Sequence, residues 1–130
     1  MAHFHIDYSA NLEDRLDIAG LCRVVAESAA ATGVFPPAGI RVRALKADHV
    51  YMADGNPDHA YLDLSVRLRG GRSDAAKRAA TQAIFAALEA ECAEVMQSTS
   101  FMLSMEMRDI DPGLSPKSSS IRDHLPEELR

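Results

Sequence analysis

The stretch from Ala60 to Arg69 constrains this chain more than any other. Ala60, Leu62, Leu64, Val66 and Leu68 alternate with Tyr61, Asp63, Ser65, Arg67 and Arg69. Strict period two sends successive side chains to opposite faces of a strand, so one face must be buried and the other is polar. Gly70-Gly71-Arg72-Ser73-Asp74 follows, a turn by composition in which Ser73 is suited to cap a helix N-terminus. Ile84, Leu88, Cys92 and Val95 then mark the buried stripe of a long helix over roughly residues 74–97, Ala-rich in its first half. Phe101, Leu103, Met105 and Met107 alternate with Met102, Ser104, Glu106 and Arg108, another strand. The second half of the chain therefore reads strand, helix, strand.

The first half repeats that order. Phe4, Ile6 and Tyr8 alternate with His3, His5 and Asp7, a strand. After a polar connection over 11–16, Asp17 can cap a helix whose core stripe is Ile18, Leu21, Cys22, Val25 and Ala29. That helix reaches about Thr32, and Gly33 suits the left-handed residue that ends it. Pro36 and Pro37 forbid further helix, Gly39 permits a close backbone approach, and residues 40–45 read as a strand. Residues 48–52 are expected to add a short strand and 53–58 a turn.

Two β-α-β units with right-handed crossovers build an α+β fold: a four-stranded mixed sheet with two helices on one face. The whole chain, 1–130, is expected to be a single domain. Its tail, 111–130, is rich in Ser and Pro, with a short C-terminal helix over 121–125 capped by Ser120. Both sides of the strands include apolar residues, so the sheet face without helices is expected to be covered by other subunits.

A net charge of −5 argues against nucleic acid or an anionic membrane as a general partner. No apolar run approaches the length of a membrane span. The two cysteines, Cys22 and Cys92, fall in helical patterns without metal-ligand spacing, which fits small buried residues in a reducing cytoplasm. His3, His5 and Asp7 share a strand face, as metal ligands can, but no fourth ligand with supporting spacing accompanies them.

Within an acidic chain, clustered arginine points to a local anion site. Arg41 and Arg43 lie on one face of their strand, and Arg suits carboxylates because it can donate two parallel hydrogen bonds. Gly70-Gly71-Arg72-Ser73 places an arginine beside a helix N-terminus, where free N–H groups favour an anion. Arg41 and Arg72 are thus two basic points able to hold a multiply charged carboxylate. Arginine cannot accept a proton, and no Ser–His–Asp order, carboxylate pair or nucleotide motif stands out. A free N-terminal amine is a candidate base, because its ordinary pKa of about 8 falls further with burial and nearby positive charge.

Several blocks together carry a resemblance. They are a small residue before His3-Phe4, the run from Ala30 to Arg43, Met52-Ala53-Asp54-Gly55, and Gly70-Gly71-Arg72-Ser73. In order and spacing the chain resembles the 5-carboxymethyl-2-hydroxymuconate isomerase family of the tautomerase superfamily. The resemblance implies a homotrimer of β-α-β repeats with no metal and no organic cofactor. It also implies a proton shift in an unsaturated, multiply carboxylated intermediate of homoprotocatechuate breakdown. An amino-terminal proline is that family's general base, and arginines matching Arg41 and Arg72 bind the carboxylates. Here Ala2 stands at the proline position. Removal of Met1 would expose its primary amine, whereas retention would leave an amide. Two readings follow: a cytoplasmic isomerase acting through the N-terminal amine, or a trimeric relative that binds a small carboxylate without that chemistry.

Overall fold

A computed structural model describes all 130 residues. In chain order the main elements are β1 (Ala2–Ser9), α1 (Ile18–Ala31), β2 (Ile40–Ala47), β3 (Ala60–Arg69), α2 (Asp74–Glu91), α3 (Ala93–Ser98) and β4 (Phe101–Ile110). The four strands form one mixed sheet in the order β2-β1-β3-β4. Within each β-α-β unit the two strands run parallel, and the units meet at the antiparallel β1/β3 pair. Helices α1 and α2 pack against each other over one sheet face, the fold class expected from the two repeated patterns.

Helix ends follow the local chemistry. Asp17 Oδ1 accepts the Gly20 N–H at 3.0 Å, and Ser73 Oγ accepts the Ala76 N–H at 3.1 Å. Gly33 has φ +73°, a left-handed conformation that favours a residue without Cβ, immediately after the Thr32 cap of α1. The core lies between helices and sheet. Phe4, Ile6, Leu62, Leu64, Val66 and Leu68 meet Leu21, Val25, Ile84 and Leu88, all buried. Phe35, from the loop after α1, stacks edge-on against Phe4 with ring centroids 5.0 Å apart.

Three expectations need correction. The helix over 74–97 breaks at Cys92, whose φ and ψ of −98° and 5° separate α2 from α3. Cys92 and Val95 remain buried across the bend, so the apolar stripe runs through it unmarked by any Gly or Pro. Residues 48–52 form no strand. β1 pairing ends at Ser9 opposite Ala47, so no neighbour remains to extend the ladder. In the tail, residues Ile121–His124 make only a 3-10 turn, and Ser119 rather than Ser120 bonds the Ile121 N–H, at 3.2 Å. The sheet face without helices carries apolar residues as expected, though it is mainly polar at its centre. His3, His5, Asp7, Asp63, Ser65 and Arg67 line its centre, and exposed Leu45 and Met102 stand on the two edge strands.

Candidate active site

Sheet order decides which side chains meet. β1 lies between β2 and β3, and register sets His3 opposite Arg41 on one side and opposite Arg67 on the other. All three belong to the face without helices, because each is one residue out of phase with the buried set. An Arg41 NH2 group lies 3.0 Å from His3 Nε2. A guanidinium only donates, so Nε2 accepts and the ring proton sits on Nδ1. Partial burial lowers the His3 pKa below its ordinary value, and the charges of Arg41, Arg67 and Arg43 push the same way. Neither His3 Nδ1 nor Arg41 Nε finds a partner within the chain, although both atoms are buried. An unmet buried donor costs about 1–3 kcal/mol.

These groups open onto a cavity of about 400 Å³, within the range of small-molecule sites. Met1, His3, Arg41, Arg67, Arg69, Ile110, Pro112 and Lys117 are among the residues that line it, the last two from the tail. No Asp or Glu lines the cavity. None of Arg41, Arg67, Arg69 and Lys117 joins any of the chain's ion pairs, which involve other residues. Four unneutralised cations around one cavity, in a chain of net charge −5, make an electrostatic trap for an anion.

Met1 lines this cavity. Burial lowers the pKa of its amine from the usual value, and Lys117, Arg72, Arg69 and Arg41 lower it further because a second positive charge is unwelcome among them. The chain end is tightly seated: a Cβ on Gly39 would lie 3.3 Å from Met1 Cα and 3.9 Å from the Ala2 nitrogen. Ala2 itself is buried and pairs with Ile40, and with Met1 attached its nitrogen is an amide.

Arg41 and the chain end thus share the cavity, while Arg72 sits beside it. Arg72 donates to the Arg69 carbonyl at 3.1 Å and to the Val34 carbonyl at 3.2 Å, tying the β3–α2 turn to the loop after α1. It does not line the cavity but is near enough to depress the amine. Arg43 is exposed and opposite His5. Asp7 accepts a 2.7 Å hydrogen bond from the Tyr61 hydroxyl, whose pKa is pushed up to about 12 by burial and by that carboxylate. No three His, Cys, Asp or Glu side chains are grouped to hold a metal ion.

Sequence reasoning missed Arg67, Arg69, Lys117 and the acceptor role of His3. The alternation of β3 did put Arg67 and Arg69 on the same face as Arg41, and that was the available signal. Lys117 lies in a segment without periodicity. One Asp–His–Ser chain also forms that the order of residues did not announce. His59 ring nitrogens contact Asp54 Oδ1 and Ser100 Oγ, each at 2.7 Å. It lies at the opposite end of β3, where Asp54 also accepts the Asn56 N–H at 3.0 Å, and it fastens the 53–59 turn.

Comparison with known proteins now decides the family. The sequence profile described as 5-carboxymethyl-2-hydroxymuconate isomerase matches residues 2–125. The chain belongs to that family. It is 34% identical over 121 residues to the 5-carboxymethyl-2-hydroxymuconate Delta-isomerase of Escherichia coli, covering 93% of this chain and 96% of that one. A crystal structure of a 5-carboxymethyl-2-hydroxymuconate delta-isomerase superposes with a TM-score of 0.89 at 29% identity, covering 95% of this chain and 92% of that chain. The fold extends to a fused 4-OT symmetric trimer, with a TM-score of 0.64 at 17% identity over 84% of this chain and 85% of that one. The isomerase fold therefore spans the chain from β1 into its tail. Ala2 and Arg41 lie on the adjoining strands of its first unit, and Arg72 follows the first strand of its second.

Proposed function

We propose that this isomerase shifts a proton within an unsaturated hydroxy- or oxo-polycarboxylic acid such as 5-carboxymethyl-2-hydroxymuconate, without metal or organic cofactor. The observation that carries the reading is a cation-lined cavity without carboxylates at which the chain end, Met1, lies. In the proposed reaction a neutral amine takes the proton of the enol hydroxyl. The O–H electron pair becomes the carbonyl π bond, and the conjugated double bonds move along the chain. The ammonium so formed returns the proton to carbon. Atoms and charge balance, as an isomerisation requires. Arg41 holds a carboxylate and offsets negative charge that develops on oxygen, as preorganised donors do. Arg72 contributes its charge and its remaining donors from beside the site. The base is the Ala2 amine, freed when Met1 is removed.

The proposal includes a single-domain chain in the cytoplasm, where the unpaired Cys22 and Cys92 stay reduced. It also includes a homotrimer. Free edges at β2 and β4, each bearing an exposed apolar side chain, support that assembly, as does the symmetric trimer of the fused 4-OT relative.

Three protein forms on one dienol acid test the chemistry across pH: the Met-free parent, Met-free Ala2→Pro, and the Met-retaining parent. Ala2→Pro should be fastest, because its ring fixes the nitrogen within reach of the proton, and the Met-retaining form slowest. A cationic amine cannot act as base, so the rate should rise with pH through the amine's pKa. Burial and the surrounding cations lower the Met1 amine below its ordinary value of about 8, and an Ala2 amine one residue further in, next to the same cations, is expected to place the limb below that value as well. Equal rates and identical pH profiles in all three forms would remove the amine from the mechanism. A second reading follows from Met1 lining the cavity: with Met1 retained, the Ala2 nitrogen stays an amide, and the protein would bind carboxylates without the proton transfer.

A further inference from the structure

The polar row across the sheet carries more charge than binding one carboxylate requires. Arg41, His3 and Arg67 occupy a single cross-strand row on β2, β1 and β3. Neighbouring strands lie about 4.8 Å apart, so the backbones carrying Arg41 and Arg67 are separated by about 10 Å. An extended acid with carboxylates at both ends can bridge that gap once the side chains lean inward. Two residues beyond Arg67, Arg69 borders the same cavity, and Lys117 reaches it from the tail. No Asp or Glu of the chain neutralises these three residues. Arg69 gives only its backbone carbonyl to a neighbour, Arg72, which leaves its guanidinium uncommitted.

We propose that Arg67, Arg69 and Lys117 form a second anion-binding point, which takes the carboxylate remote from the one held at Arg41 and makes the site select polyanionic acids over monoacids. The assignment rests on reading the cavity as the substrate site. It adds that specificity comes from β3 and the tail, whereas the first carboxylate is held from β2. Location supports this division: β3 and the tail belong to the second β-α-β half, and Arg41 and the chain end to the first. His3, neutral and accepting from Arg41, separates the two points without adding a charge.

Titration calorimetry on the assembled protein at fixed ionic strength tests it, with propane-1,2,3-tricarboxylate and butanoate as non-reacting probes. The parent should prefer the tricarboxylate by about tenfold or more, since charge-assisted hydrogen bonds are the strong ones. In the Arg67→Gln/Arg69→Gln/Lys117→Gln variant that preference should fall by about fivefold or more. Lys117→Gln alone, in the tail and outside the sheet, should lower it in the same direction and covers the case in which the triple variant folds poorly. A preference unchanged within about twofold in every folded variant overturns the proposal. Arg41→Gln separates the two claims. If it loses both acids while the other variants keep the preference, the second point fails and the isomerase site stands. If the parent isomerises no dienol acid yet the variants lose the preference, the second point stands and the reaction assignment fails.

Discussion

Arg41 and Arg72 carry equal charge but different obligations. Arg41 spends one donor on His3, a neutral ring, and keeps a buried Nε without a partner. Arg72 spends two on backbone carbonyls that join separate parts of the fold. Arg41→Ala should therefore weaken carboxylate binding by about 1.5–3 kcal/mol with little change in thermal stability, the loss of one charged hydrogen bond. Arg72→Ala should weaken binding and also lower the melting temperature, because the part-buried Val34 carbonyl and the exposed Arg69 carbonyl lose donors, the first worth about 1 kcal/mol. Calorimetry with a dicarboxylate inhibitor and thermal denaturation separate the two. Unchanged affinity in both variants would take both arginines out of the site.

At the scale of elements, stability resides in the alternating strands and is nearly absent from the loop after β2. Leu64 is fully buried at the centre of β3, so Leu64→Ala should cost about 2–5 kcal/mol. Tyr51 is 81% exposed in the loop, so Tyr51→Ala should stay within about 0.5 kcal/mol. Urea titration of both variants checks the contrast. Comparable losses would mean that the loop carries packing this fold assigns to the core. The same contrast explains what could be read in advance. Strands with one buried face advertise themselves by period two, and Asp17, Ser73 and Gly33 advertise helix ends by their own chemistry. The bend at Cys92 is silent because core contact continues through it. The absence of a strand at 48–52 depends on where β1 stops, a fact held by another part of the chain. The site divides likewise. Arg41 and Arg72 stood out through motif and local turn chemistry. The pairing of His3 with Arg41 needs strand order, and Lys117 needs the path of the tail.

The whole molecule buries only 21 of its 130 residues when one chain is taken alone, and its sheet ends in free edges on both sides. Unpaired edges bearing Leu45 and Met102 invite other strands, and the proposed ring of three copies would remove them. Light scattering at micromolar concentration should report about three times the 14.1 kDa of one chain. A stable monomer would refute the trimer. The antiparallel junction of the two β-α-β units has a further consequence. β1 and β3 hold the halves together by register, while the chain between Ala47 and Ala60 contributes no strand to the sheet. Covalent continuity should therefore be dispensable there. Residues 1–52 and 56–130 made as separate polypeptides should find each other and rebuild the sheet, with a cavity drawing Arg41 from one piece and Lys117 from the other. Such a split protein would behave as a two-gene enzyme, its carboxylate binding appearing only when both pieces are present.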